Sequence, residues 1–181
     1  MDSMILKSGK RSIWMIFFIL TAGQLFAKDD DKMDYVQYAK NIMNPFIERC
    51  EKEYHLDCIG TGGRFGKNVA GIDISFIAYR KGTMEEARTL EVKMIEQLRD
   101  ELNAHEKIRP FLAEYPFKSK EINISVAFRK PDNSCYSDGS VVLVFQACDK
   151  LLYSAEDPKT GKLVDLLEES YEEALKKVLG Q

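Results

Sequence analysis

The chain is poor in the residues that carry most catalytic and metal-binding chemistry. It has two histidines, His55 and His105, among 181 residues. A zinc site could draw on His55, Asp57 and Cys58, but neighbouring side chains of a strand point to opposite faces. The Gly-x-Ser-x-Gly elbow of many hydrolases is also missing. These absences favour a protein with no catalytic residue, no metal ligand and no cofactor.

An excess of positive charge is missing too. The chain carries 26 basic and 29 acidic residues, a net charge of −3, and the basic residues are spread among the acidic ones. Nucleic-acid binding needs a clustered basic face. The composition therefore argues against a nucleic-acid partner and favours a mixed-charge surface in contact with solvent.

The uninterrupted apolar run at Ile13–Leu20 is too short to cross a membrane. It has eight residues, whereas a spanning helix needs roughly 20. Lys7, Lys10 and Arg11 precede it, and a stretch with small residues follows it to Ala27. This order of basic end, apolar core and cleavable site is typical of a secretory signal peptide.

We therefore predict a signal peptide at residues 1–27 and a single domain at residues 28–181, exported to the periplasm or secreted. Cleavage would remove three basic residues and one acidic residue, which leaves a net charge of −5. No second long apolar run follows, so the mature domain should have no stable membrane span. The alternative is that the signal is kept as an anchor.

The spacing of apolar residues predicts three helices. They recur at three- and four-residue steps over residues 35–50, where Pro45 either kinks the helix or starts a second one. The clearest helix begins after Thr83 and carries an apolar stripe over residues 84–102. The last helix begins at a capping box that starts with Ser170.

Alternation of apolar and polar residues predicts strands with one dry and one wet face. Val141–Phe145 is instead apolar throughout, as expected of a central strand covered on both faces. Lys162–Leu167 fits a helix or a strand that closes a hairpin, and we favour the strand. The predicted strands are His55–Gly60, Ile72–Tyr79, Ile122–Arg129, Val141–Phe145, Leu151–Tyr153 and Lys162–Leu167.

The order of these elements predicts an α+β fold. The strands after residue 120 have short connections, so they should pair antiparallel. A mostly antiparallel sheet with helices packed on one face, in two layers, is the simplest architecture that buries the apolar stripes.

A glycine cluster is a weak candidate for a cofactor-binding loop. A dinucleotide fingerprint would need glycine where Phe65 stands, and a P-loop would need serine or threonine where Asn68 stands. A strand follows the cluster, so no helix N-terminus would face a ligand. We favour a flexible hairpin connection that needs positive φ angles, with a ligand-binding loop as the alternative. The four glycines are Gly60, Gly62, Gly63 and Gly66.

All four cysteines follow the predicted signal peptide, and export would favour disulfides between them. A Cys135–Cys148 bridge should be absent, because an intervening strand would hold the two roughly 20 Å apart, beyond the ~7 Å limit between Cα atoms. Cys50–Cys58 could clip a helix to a strand, and the crossed pairings stay open. We expect at least one disulfide.

The connector between residues 109 and 117 is the best candidate for a partner-binding patch. Arg109, Phe111, Tyr115 and Phe117, together with two prolines, would suit a rigid recognition surface. The alternative is that the apolar members close the end of the core.

Two segments resemble an uncharacterised group of exported bacterial proteins. They are Ile59–Gly63 and Glu106–Leu112, the second continued by Tyr115–Phe117. The resemblance implies an exported bacterial protein, and it carries no activity, cofactor or site residue.

The function most consistent with these observations is a non-catalytic domain that binds an unknown protein or small ligand. One alternative is a small exported hydrolase using carboxylates, for which the glutamate pairs at 85/86, 168/169 and 172/173 are candidates. The other is a structural protein associated with the envelope.

Overall fold

The computed structural model of the chain describes residues 30–180, so the predicted signal peptide at residues 1–27 lies outside the described residues. Three helices and six strands make up the fold. They are α1 (Asp30–Tyr54), β1 (Asp57–Phe65), β2 (Val69–Ala78), α2 (Met84–Ala104), β3 (Ile122–Phe128), β4 (Leu143–Ala147), β5 (Lys150–Glu156), β6 (Leu163–Ser170) and α3 (Tyr171–Leu179).

The six strands form a single sheet in chain order, from β1 to β6. β2 and β3 pair in parallel, and every other neighbouring pair is antiparallel. The parallel pair needs a long crossover, which α2 supplies between the two strands. The predicted α+β class, with a mostly antiparallel sheet, is confirmed.

Alternate side chains of the central strands face the helices and form the core. Ile72, Ile74 and Phe76 of β2, like Ile124 and Val126 of β3, are at most 1% exposed. The residues between them are half-buried. The sheet therefore has a covered face under the helices and an open face on the other side. Each fully buried aliphatic or aromatic side chain contributes roughly 1.5–3 kcal/mol.

α1 runs without a break through Pro45, so neither a second helix nor a new start is needed there. Pro45 has no N–H for the carbonyl of Asn41. Both residues are exposed, so water can take the place of the missing hydrogen bond. The buried side of α1, with Tyr35, Phe46 and Cys50, packs into the core.

The predicted helix caps are confirmed. Thr83 caps α2 by accepting a hydrogen bond from the backbone N–H of Glu86 (3.1 Å). Ser170 and Glu173 form the complete capping box of α3, and Gly180 ends that helix with a φ of 68°. Caps of this kind are each worth about 1 kcal/mol.

Three of the four glycines lie in a strand, which corrects the predicted hairpin connection for them, whereas Gly66 does lie in the connection between the antiparallel strands β1 and β2. Gly60, Gly62 and Gly63 lie inside β1, and none of them has a positive φ. Gly63 is required by close packing, because a Cβ there would lie 2.6 Å from the carbonyl oxygen of Gly71 and 2.5 Å from the ring of Phe65. At Gly63 the absence of a side chain thus allows close strand packing.

Lys162–Leu167 was predicted as a strand, and β6 confirms it. The prediction for Val141–Phe145 was wrong in one respect, since helices cover only one of its faces. Val144 is fully buried, whereas Leu143 and Phe145 are half-buried on the open face. Their apolar side chains therefore border a surface in contact with solvent.

Candidate functional site

The open face of the sheet carries a broad concave surface, a trough of about 840 Å³. It lies over β2, β3 and β4. This volume falls within the range of roughly 300–1,000 Å³ typical of small-molecule sites. The residues that form its floor and one side are Asp73, Ser75, Asn123, Ser125, Leu143 and Phe145.

Four polar side chains form two rows across the parallel pair. The register places Asp73 beside Asn123 and Ser75 beside Ser125. The Asn123 amide donates to Asp73 Oδ1 at 2.6 Å, and the Ser125 hydroxyl donates to Ser75 Oγ at 3.0 Å. Each pair leaves other hydrogen-bonding positions for a ligand, because carboxylate, amide and hydroxyl groups all have more than one.

Glycines border these rows on the β1 side. Gly60 is paired with Ser75, and Gly62 with Asp73. Residues paired across an antiparallel ladder share a face, so side chains at 60 and 62 would stand over the trough. A Cβ at 62 would lie 3.9 Å from Asp73, and one at 60 would meet nothing within 4 Å. The glycines therefore keep the polar rows accessible.

The β4 side of the trough is apolar. Phe145 is paired with Ser125, so an aromatic ring stands directly beside the second polar row. Leu143 follows two residues away on the same face. A tight turn closes this side, with positive φ angles at Cys148 (51°) and Asp149 (62°).

Opposite charges are balanced at one end of the trough. Arg64 of β1 donates to Glu121 Oε2 at 2.6 Å and to the backbone oxygen of Ala70 at 2.9 Å. Its guanidinium occupies the space that a side chain at Gly71 would take. Lys120 and Asp149 add one charge of each sign. The trough is therefore close to neutral.

The trough is lined by two serine hydroxyls and by the exposed thiol of Cys148. Its two serine hydroxyls bond to each other, and a serine nucleophile needs a hydrogen-bonded base instead. Alternation over Ile122–Arg129 predicts only that Asn123 and Ser125 lie on the wet face of a strand. The available signal was polar residues at matching positions of two alternating strands.

Two of the four candidate glycines border this site. Gly60 and Gly62 lie along its edge, whereas a side chain at Gly63 is excluded by close packing. Gly66 lies in the connection after β1, where its carbonyl accepts a hydrogen bond from the Tyr35 hydroxyl (2.7 Å). No phosphate loop is formed, because residues 69–78 continue as a strand.

Most of the apolar surface of the predicted partner patch packs against the core. Phe117 is 1% exposed, and Phe111 stacks on Tyr35 with ring centroids 5.5 Å apart. Tyr115 is 54% exposed and lies under the Arg109 guanidinium, 5.4 Å from its ring centroid. The apolar members thus close the end of the core, which leaves Arg109 and Tyr115 as its accessible part.

All four cysteines lie within the described residues and are free thiols, which corrects the expected disulfide. The Cys58 thiol is directed at the backbone oxygen of Gly60 (3.7 Å). Cys135 lies near Glu156 at one end of β5, and Cys148 lies in the turn at the other end. Burial raises the pKa of the Cys50 thiol to about 12, so this thiol is protonated at neutral pH.

The candidate glutamate pairs do not converge. Glu86 pairs with Arg80 (2.6 Å), Glu168 with Lys150 and Glu172 with Lys176 (2.7 Å). Glu173 caps its own helix. A second groove, of about 540 Å³, is lined by Glu53, His55 and Arg80 together with Glu86, whose carboxylate is neutralised by Arg80.

The covered face holds polar groups of its own. Glu169 is 6% exposed and accepts hydrogen bonds from Arg88 (2.6 Å), the Tyr153 hydroxyl (2.6 Å) and Lys177 (2.5 Å). Burial alone would raise the pKa of Glu169, but these donors hold it below its usual value. Glu91 of α2 is fully buried, and its carboxyl has no hydrogen-bond partner among the described residues.

Within residues 30–180, no group of three or more histidine, cysteine or carboxylate side chains is placed to hold a metal ion. No helix in that part of the chain is long and apolar enough to span a membrane. No family model, curated protein or solved structure matches the chain.

Proposed function

We propose that this chain is an exported, non-catalytic binding protein that takes its ligand in the open-face trough. The signal peptide predicted at residues 1–27 and the resemblance to exported bacterial proteins support export to the periplasm or the outside of the cell. The trough supports the binding role.

The observation that carries the proposal is the pair of polar rows on the parallel strands. Asp73–Asn123 and Ser75–Ser125 stand on a rigid sheet, with glycine on one side and Phe145 on the other. Polar groups on rigid elements beside an apolar wall are typical of small-molecule sites. A hydrolase with paired carboxylates has less support, because the candidate glutamates lie apart or in ion pairs.

The test asks whether a ligand is retained at this place. The mature protein, residues 28–181, is mixed with an extract of the exporting cells, dialysed extensively and analysed for retained small molecules by mass spectrometry after denaturation. The Gly62→Tyr variant places a ring over Asp73, so we expect it to retain at least about tenfold less of any ligand.

Gly66→Tyr is the matched control. A Cβ at Gly66 would meet nothing within 4 Å, and Gly66 lies in the connection that follows β1, beyond Arg64. This variant should retain the ligand as the wild type does. If no small molecule is retained, or if both variants retain it equally, the trough is not the binding site.

A further inference from the structure

We infer that the ligand of the trough is a neutral oligosaccharide. This inference rests on the proposed function and deepens it, because it names the chemical class that the trough recognises. Charge, hydrogen-bonding pattern and the apolar side of the trough each support it.

Charge disfavours an anionic ligand. The Arg64 guanidinium is engaged by Glu121, and the floor of the trough carries the carboxylate of Asp73, which a phosphate or carboxylate would face at close range. Recognition of such anions in proteins relies on arginine clusters or helix N-termini. The trough floor is instead made of strand residues, and a neutral ligand avoids this repulsion.

The hydrogen-bonding groups of the floor suit adjacent hydroxyls. Asp73 keeps one carboxylate oxygen as an acceptor, and Asn123 keeps one N–H donor and its carbonyl acceptor. A sugar hydroxyl both donates and accepts, so two neighbouring hydroxyls can use the carboxylate and the amide together. Ser75 and Ser125 extend the same mixed pattern by one row.

The apolar side suits the remaining surface of a sugar ring. The faces of a pyranose carry C–H groups, which pack on aromatic rings, whereas its edges carry hydroxyls. Phe145 stands beside Ser125 in the register, so one ring can contact both groups. The volume of about 840 Å³ lies in the upper part of the range for small ligands, roughly 300–1,000 Å³, and favours several linked rings over one.

The experiment is a binding screen of the mature protein on an array of neutral oligosaccharides built from glucose, mannose, galactose and N-acetylglucosamine, with sialylated and sulfated counterparts on the same array. We expect binding to one or more neutral oligosaccharides. Amide chemical shifts on titration with that saccharide should change mainly in β2, β3 and β4. Affinity should change less than about twofold between low and high salt, because no ligand charge is screened.

Asn123→Leu keeps the size of the side chain and removes its hydrogen bonds, so it should weaken binding about tenfold or more. Asn41→Leu, at an exposed position of α1, is the matched control and should bind as the wild type does. Thermal melting of both variants shows whether the fold is kept, and Ser75→Ala is the second trough variant if Asn123→Leu unfolds.

Several outcomes would overturn the inference: a requirement for charged glycans, unchanged binding in Asn123→Leu, or trough shifts that appear only as protein concentration rises, which would identify a second copy as the occupant. If the extract experiment finds a ligand that Gly62→Tyr loses while no saccharide on the array binds, the binding function stands and the saccharide class is wrong.

Discussion

Polar residues have different surroundings on the two faces of the sheet. On the covered face, Glu169 is surrounded by donors from three elements, and Glu91 is buried with no hydrogen-bond partner in the described part of the chain. On the open face, Asp73 and Asn123 share one hydrogen bond and remain in contact with solvent.

This difference separates residues that determine stability from residues available for binding. A polar group under the helices affects the free energy of unfolding, because its desolvation must be offset by partners. A polar group on the open face loses little hydration on folding. It can therefore contact a ligand without a large effect on the free energy of unfolding. The following predictions test that separation.

The largest contrast is expected between two isoleucines of β2. Ile74 faces the helices and is 1% exposed, whereas Ile77 is half-buried on the open face. Ile74→Ala should lower the free energy of unfolding by about 2–5 kcal/mol, and Ile77→Ala by roughly 1 kcal/mol or less. Urea denaturation of both variants measures the difference. Equal losses would mean that the open face is also buried against something.

Replacement of Glu91 should stabilise the protein. Burial raises the pKa of this carboxyl well above its usual value, and the Tyr153 side chain is one of its neighbours. Glu91→Met removes the buried polar group and should raise the free energy of unfolding by about 1–3 kcal/mol at neutral pH.

The pH dependence has a definite sign. Below the pKa of the unfolded chain, Glu91 is protonated in both states and costs no ionisation energy. As pH rises, the unfolded state ionises first, so wild-type stability falls until the pKa of the folded state is passed. Denaturation between about pH 4 and pH 8 should show a smaller fall for Glu91→Gln. Glu85→Gln, exposed on the same helix, is the control, and an identical pH profile for wild type and Glu91→Gln would contradict the assignment.

The smallest stability effect is expected from the serine pair. Ser75→Ala and Ser125→Ala should each change the free energy of unfolding by less than about 1 kcal/mol, because water can replace the lost hydrogen bond. A double-mutant cycle measures the coupling between the two hydroxyls. Ligand binding should nevertheless fall in both variants. A loss of several kcal/mol without an effect on binding would assign the pair to structure.

Patterns among neighbouring residues were sufficient to predict much of the fold. Thr83 and the capping box at Ser170 mark their helices through neighbouring residues alone, and the strand at Lys162–Leu167 is the favoured of two local interpretations. The fold class follows from the order of these elements. In each case the deciding interactions span a few positions of the chain.

The errors concern long-range packing. Gly63 lies in a strand because β1 pairs with β2, where Gly63 stands opposite Ile72. Phe145 is half-buried because the helices cover the other face of its strand. The strand's own sequence does not show which face is covered. Glu91 stands among the buried residues of α2, but a glutamate is ordinarily expected in solvent.

The trough itself could not be predicted for the same reason. Asp73 and Asn123 are 50 positions apart, and they meet only if β2 and β3 lie side by side in parallel and in this register. Alternation shows which residues are wet, but it does not show which strands are neighbours.

The parallel pair is also a seam between the two halves of the chain. The hairpin of β1 and β2 lies on one side, and the antiparallel strands β3–β6 lie on the other. The trough exists only after these halves have joined. A ligand bound there would shift the equilibrium toward the assembled chain by mass action. It would stabilise the contact between two segments that the backbone connects only through α2 and the connector after it.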